Sequence, residues 1–457
     1  MIKIAFMGAG STIFAKNVLG DVMLRDPLRE ARIALYDIDA QRLRESQMML
    51  ETLNRNINQG RATISTHLGS ENRRSALEGA KYVVNAIQVG GYEPSTVIDF
   101  EVPKRYGLRQ TIGDTLGIGG IFRALRTIPV CMAFARDMEA VCPDAWFLNY
   151  VNPLAMIAGA MLRGSSIRTV GLCHSVQGAA RGLLRRVGML DQVKKLQWKV
   201  AGINHQAWLL EITDGGRDLY PEVKRRAAEM NAQARQPGAP KHSDMVRFEL
   251  MLQLGYYVTE SSEHSAEYMP YWIKASHPEL IEEFNIPLDE YPRRCVRQIE
   301  EWRTMSAELV RNPALAHEPT VEYGATIMTA METDVPARIG GNVLNTGLIP
   351  NLPTKAVVEL ACLVDRNGVQ GCYAGDLPEQ LAAINRTNIN VQLLTIEAAL
   401  ERRREAVYHA AMLDPHTASE LTLDEIRALC DDLIEAHGMA GMFDRDSQFE
   451  PPVFWGL

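Results

Sequence analysis

The stretch Ile2-Lys3-Ile4-Ala5-Phe6-Met7-Gly8-Ala9-Gly10-Ser11-Thr12 decides the fold. Its first six residues form a short apolar run of strand length, and a helical pattern over 14–23 follows the glycines. Strand, glycine turn and helix in this order open a parallel α/β sheet, in which backbone approaches a pyrophosphate closely at the helix N-terminus. Gly8, Gly10, Ser11 and Thr12 are therefore the candidate cofactor residues. The third glycine of the usual fingerprint is missing, because Ile13 stands in its place. The second strand adds weight to the reading. It ends at Asp37, an acidic residue placed to accept hydrogen bonds from a ribose diol, and its charge favours NAD over NADP. The alternative for Asp37 is a cap for the helical pattern 41–53, a role that Asp39 could equally fill.

Outward from this stretch, short apolar runs alternate with amphipathic ones through the first 175 residues. Strands are predicted over 2–7, 33–36, 62–66, 82–87, 146–150 and 169–172, with a further helix over 122–138. Beyond residue 198 helical patterns dominate, with a loop over 233–241 and one long helix over 388–411. The class is α/β. An N-terminal Rossmann-like doubly wound sheet (1–195, NAD-binding) is followed by a mostly helical α+β domain (196–457) for catalysis and oligomerisation. The 457 residues can bury a large core without disulfides. A net charge of −8, with no long basic run, argues against a nucleic-acid partner. No stretch reads as apolar enough to span a membrane, and the N-terminus lacks the features of a signal peptide. Seven scattered cysteines fit reduced thiols in the cytoplasm.

Open α/β sheets bind ligands at the carboxyl ends of their strands. The fourth strand delivers Gln88 there and the fifth Asn149 and Asn152. The sixth delivers Cys173-His174, and Gly202-Ile203-Asn204-His205 follows about thirty residues later. Asn152-Pro153 is similar to the Asn-Pro of lactate and malate dehydrogenases. A thiolate and an imidazole suit a divalent transition metal in an open, catalytic coordination. The bland alternatives are a buried small hydrophobe for Cys173 and a hydrogen-bonded core histidine for His205. A third cluster, 260–268, holds three carboxylates, His264 and Tyr268. It could supply a base or be a solvated loop. His277 and His317 lie near prolines and read as surface residues.

Taken in order, these motifs resemble glycoside hydrolase family 4, the NAD-dependent glycosidases. The match includes Gly8-Ala9-Gly10-Ser11-Thr12, Asp114-Thr115-Leu116-Gly117-Ile118-Gly119-Gly120, Leu148-Asn149-Tyr150-Val151-Asn152-Pro153 and Gly202-Ile203-Asn204-His205. Three segments, Gly171-Leu172-Cys173-His174-Ser175-Val176-Gln177, Thr259-Glu260-Ser261-Ser262-Glu263-His264 and Asp414-Pro415-His416-Thr417-Ala418, are most similar to members that hydrolyse α-galactosides such as melibiose. The resemblance implies a redox route to hydrolysis: NAD-mediated oxidation at C3, deprotonation at C2, elimination of the aglycone, water addition and re-reduction, with Mn²⁺ polarising the sugar oxygens. It implies Cys173 and His205 as metal ligands, His174 as the general acid, and Asn149 and Asn152 as sugar contacts. The acid is Asp in members acting on phosphorylated sugars, so a histidine points to an unphosphorylated one. Those members use a Tyr as the C2 base in the segment matching 260–268. His264 takes that position here, with Tyr268 nearby. The expected partner is a small α-galactoside, and the expected assembly a homodimer or homotetramer. An α-glucosidase, an α-galacturonidase or a net 2-hydroxy acid dehydrogenase are the alternatives.

Overall fold

A computed structural model of the chain describes residues 1–444, 451–452 and 455. The first six strands are β1 (Lys3–Met7), β2 (Arg32–Asp37), β3 (Thr63–Leu68), β4 (Tyr82–Asn85), β5 (Trp146–Asn149) and β6 (Arg168–Gly171). They pair in parallel in the order β3-β2-β1-β4-β5-β6. That order reverses direction at β1, which is the ligand-binding switch point of a doubly wound sheet. β1 and β4 are buried along their whole length, as strands covered on both faces must be.

The sheet continues past residue 195. The second half of the chain adds β7 (Leu196–Ile203), β8 (Gln206–Asp214), β9 (Arg217–Asp218), β10 (Tyr257–Val258), β11 (Ala337–Leu344), β12 (Val357–Asp365) and β13 (Gly368–Gly371). β11 joins the edge of β6 through one antiparallel pair, Asn342 with Gly171, and β12, β7, β8 and β10 follow outward. One row of partners thus runs across four strands: Gly171, Asn342, Glu359 and Gly202. A Cβ at Gly171 would strike the side chain of Leu154 and come within 2.9 Å of Asn342 Cβ, so the junction needs glycine.

Three expectations change. The predicted helix 388–411 is two helices, Glu379–Glu401 and Arg404–Leu413, broken where Arg402 turns left-handed at φ 55°. Its guanidinium is latched to the Met442 carbonyl at 2.7 Å, a tertiary contact the local pattern could not announce. His317 is buried rather than on the surface, because its Nε2 meets Asp21 Oδ1 at 2.8 Å, whereas His277 is exposed as expected. The helix Gly117–Val141 is, against expectation, long and apolar enough to cross a bilayer. Its apolar character serves burial here, since it packs against Leu154–Gly164 and Glu379–Glu401.

A buried ion triad ties the C-terminal helices to this core. Arg126 donates to both oxygens of Asp99 at 2.9 and 2.5 Å, and His437 Nε2 lies 2.9 Å from the same carboxylate. Burial opposes the Asp99 charge, but Arg126 and His437 hold its pKa below the ordinary value. Removing one member of a buried pair leaves the other uncompensated. Arg126→Met should therefore lower unfolding free energy by about 3–5 kcal/mol, read from the denaturant midpoint.

Candidate active site

The glycine turn is built from backbone. The N–H groups of Gly8 and Ala9 both donate to the Tyr36 carbonyl, at 3.0 and 2.9 Å. Gly8 has φ 89°, and a Cβ there would sit 2.7 Å from the Ala86 backbone, so only glycine fits. The Gly10 N–H donates to Asp37 Oδ2 at 2.6 Å, which places the β2 carboxylate against the turn. Asp39, and not Asp37, caps the helix Ala40–Asn58, accepting from Gln41 and Arg42 N–H. The two readings of Asp37 are thereby separated. Thr12 is buried and donates to the Gly10 carbonyl at 3.3 Å, so it shapes the turn from within. Ile13 is 43% exposed and points away from the helix–sheet contact that a third glycine usually serves. This cradle fits a dinucleotide.

A cavity of about 570 Å³ opens at the carboxyl ends of the strands, with Ser11, Gln88, Asn152, Cys173, His174 and His205 in its wall. The ligand atoms of Cys173, His205 and Glu260 lie within 4.8 Å of one another. Cys173 sits just past β6, at the N-terminus of the helix His174–Arg186. His205 occupies the two-residue turn between β7 and β8 and is left-handed at φ 60°. A non-glycine residue held there stores of order 1–3 kcal/mol, the kind of strain that marks functional positions. Glu260 follows β10, and burial opposes its charge, but His205 and His264 pull its pKa below the ordinary value. Soft thiolate, imidazole and carboxylate make a fitting set for a divalent transition metal with open positions. Burial, then Glu359 and Glu260, push the Cys173 thiol well up, and a bound cation reverses that preference. Sequence reasoning places Glu260 among possible bases, and the structure sets it beside Cys173 and His205.

A second cluster, Asp114 with His205 and His264, is equally tight. Asp114 lines the cavity and accepts from Asn152 Nδ2 at 3.0 Å. Burial opposes its ionisation, but His264 and Arg123 hold it far below the ordinary pKa. Glu267 positions the approach to Asp114 by accepting the N–H groups of Thr111, Ile112 and Gly113 at 2.8–3.1 Å. No local pattern around Asp114 announces this place, because it is the contact with His264, 150 residues on, that sets it.

The two expected base candidates lie one layer behind the cavity wall. His264 Nδ1 is 2.8 Å from Ser261 Oγ, and its Nε2 is 3.6 Å from Asp114. Tyr268 is fully buried, which drives its phenol pKa well up, and its hydroxyl lies 3.4 Å from His205 Nδ1. Asn149 does not meet its expectation as a sugar contact. Its Oδ1 accepts from Asn85 and its Nδ2 donates to the Val151 carbonyl, so the amide is spent inside the sheet. Asn152 does reach the cavity.

His174 is half exposed, and its Nε2 lies 2.8 Å from Glu322. That hydrogen bond, working against burial, raises the imidazole pKa. A raised pKa suits a group that must carry a proton near neutrality. Glu322 stands 148 residues away in sequence, and no local pattern announces it.

Residues 3–189 match the model of the Family 4 glycosyl hydrolase, and residues 200–417 match that of its C-terminal domain. The chain belongs to glycoside hydrolase family 4. It is 61% identical to an alpha-galactosidase of Bacillus subtilis over 438 residues, covering 96% of this chain and 98% of the relative. An alpha-galacturonidase of Thermoanaerobacter italicus is 26% identical, covering 95% and 96%. The fold superposes with a TM-score of 0.77 on a 6-phospho-alpha-glucosidase from gut microorganisms solved in complex with NAD and Mn²⁺. That structure is 20% identical and covers 96% of this chain and 98% of its own.

The metal assignment predicts that Cys173→Ser abolishes tight binding of a divalent transition metal in a calorimetric titration while the melting transition persists. Unchanged metal affinity would remove Cys173 from the ligand set.

Proposed function

We propose that this family 4 hydrolase is an NAD- and Mn²⁺-dependent α-galactosidase acting on unphosphorylated α-galactosides such as melibiose. The charge of the cavity wall carries the substrate class. Its arginine, Arg123, already donates to the Asn152 carbonyl and lies 3.4 Å from the Tyr291 hydroxyl, and its charge is matched by Asp114. Asp114 and Glu260 add negative charge to the same wall. A phosphate or uronate would meet the Asp114 and Glu260 carboxylates, with the wall's arginine already engaged by Asn152 and Tyr291, whereas a neutral hexose meets no charge conflict there. The preference for galactose over glucose rests on likeness to the alpha-galactosidase relative.

NAD supplies a hydride acceptor and donor for C3 of the sugar, and Mn²⁺ a Lewis acid for its oxygens. Gly8, Gly10, Ser11 and Asp37 hold the dinucleotide, Thr12 shapes their turn, and Gln88 flanks the reacting end. Cys173 and His205 hold the metal, with Glu260 as a third ligand. Asn152 orients a hydroxyl. His174 holds a proton for the departing aglycone oxygen, and His264, one layer back, is assigned the C2 proton by way of the Asp114 carboxylate that lines the cavity. Tyr268 fixes the His205 ring. A cytoplasmic setting belongs to this reading because Cys173 must stay a reduced thiol to bind metal. A homodimer or homotetramer is proposed on the resemblance alone.

Two measurements test the proposal. Asp37→Ala should weaken NAD⁺ binding by roughly 1.5–3 kcal/mol, the worth of a charge-assisted hydrogen bond, in a fluorescence titration. Hydrolysis in D₂O should place deuterium at C2 of the released galactose, because elimination beside a C3 ketone requires that hydrogen to leave and return. Unlabelled galactose would refute the redox route, and stoichiometric NADH release would turn the reading towards a dehydrogenase.

A further inference from the structure

The segment 317–324 runs from the helix Thr12–Met23 to the Cys173-His174 corner and is pinned at both ends. At the first end, Asp21 meets His317 Nε2 at 2.8 Å and accepts the Thr320 hydroxyl at 2.6 Å and the Thr320 N–H at 3.0 Å. Thr320 Oγ1 in turn accepts the Glu322 N–H at 3.1 Å. At the far end, the Tyr323 hydroxyl donates to the Cys173 carbonyl and the Gly324 N–H donates to the Tyr150 hydroxyl, both at 3.0 Å. Between these anchors the Glu322 side chain, only 7% exposed, reaches His174 Nε2. The His174 ring is itself 47% exposed, with Tyr150 and Tyr323 as its aromatic neighbours.

We propose that Glu322 is a positioning residue for aglycone departure, fixing the His174 ring so that Nδ1 is the nitrogen that serves the glycosidic oxygen. This rests on the reading of His174 as the general acid. Packing alone leaves a half-exposed ring free to turn, and the hydrogen bond removes that freedom. A carboxylate only accepts, so the Nε2 hydrogen stays where it is in both charge states of the ring. The proton that moves is then the one on Nδ1. As the C1–O bond breaks, its electron pair remains on oxygen and takes that proton, leaving neutral imidazole still bound to Glu322. A buried acid that sets the tautomer and orientation of a catalytic histidine acts in the same way in hydrolytic triads. Glu322 does not line the cavity, so it works through His174. Its anchor on Asp21 also joins the acid to the helix that begins at the cofactor turn.

The test compares melibiose, whose sugar aglycone needs a proton to leave, with 4-nitrophenyl α-galactoside, whose phenolate does not. In Glu322→Ala, melibiose hydrolysis should fall at least about tenfold, a share of the 10²–10⁴ that general acid catalysis contributes. Turnover of the nitrophenyl substrate should fall less than about threefold. Melibiose recovered from D₂O should now carry deuterium at C2, because exchange continues while C1–O cleavage waits. Glu322→Gln, which keeps the shape and so protects against a folding failure of the alanine variant, lets an amide N–H face the ring and should show the same melibiose-selective loss. Equal losses on both substrates, with unlabelled recovered melibiose, would overturn the proposal. His174→Ala run in parallel separates the two ideas. Equal losses in that variant overturn the reading of His174 as the acid, whereas a melibiose-selective loss there without one in Glu322→Ala overturns the role of Glu322 alone.

Discussion

The junction between β6 and β11 governs this active site. It consists of one residue pair, Gly171 with Asn342, and from it the row Gly171–Asn342–Glu359–Gly202 runs across the sheet. Cys173 lies two residues beyond the first member of that row and His205 three beyond the last, so sheet register sets the separation of the two candidate ligands. Side chains reinforce the row. Asn342 donates to Glu359 at 2.8 Å, and the Asn204 amide lies 3.4 Å from the same carboxyl oxygen. A one-residue slip at β11 would turn Asn342 and Glu359 to the opposite face and carry the β7–β8 turn away from Cys173. The approach of the Cys173 thiol to the His205 ring therefore depends on a backbone register set many residues from either side chain.

Charge is arranged around that register. Glu359 is fully buried with one oxygen unpartnered, and burial pushes its pKa up to about 7. Burial likewise holds the Cys173 thiol high. Burial works against the charged form of both groups, and a dication nearby would favour it. Metal affinity should therefore be strongly linked to proton release, as expected where ligands must be deprotonated to bind. The carboxylates that draw a cation into this corner also repel an anionic sugar, so the features that favour metal and those that favour a neutral substrate coincide.

What could be read from the sequence follows from how local each signal is. The six parallel strands, the glycine turn and Asp37 were legible because each is a contiguous pattern with one physical cause. Cys173 and His205 stood out as metal-suited residue types at the ends of elements. Glu260 was visible but could not be separated from its acidic neighbours, because the pairing of β10 with β8 is what aims it. Asn149 shows the opposite error. Its place at a strand end suggested a ligand contact, but its partner Asn85 lies on β4, and the register that pairs them appears only in the assembled sheet. Glu322 and the burial of His317 come from a segment with no regular structure, where periodicity says nothing.

The parallel strand order of the first half is that of nicotinamide dehydrogenases, and the departure from it begins at the outer edge of β6. In this chain that edge is extended by antiparallel strands, and the hairpin they carry brings an imidazole to a thiol already poised at the sheet. Neither half holds a complete site. The first supplies Cys173, His174, Asn152 and Asp114, and the second supplies His205, Glu260 and Glu322. A Rossmann-like unit alone could bind a dinucleotide but would lack the His205 imidazole beside Cys173 and the Glu322 carboxylate on His174. Hydrolytic chemistry thus arises at the interface of the two halves. The tight, buried contacts there, from the Asp99–Arg126–His437 triad to the Asp21–Thr320 anchor, keep ligands from both sides in register, since an error of about 1 Å between reacting groups costs on the order of a hundredfold in rate.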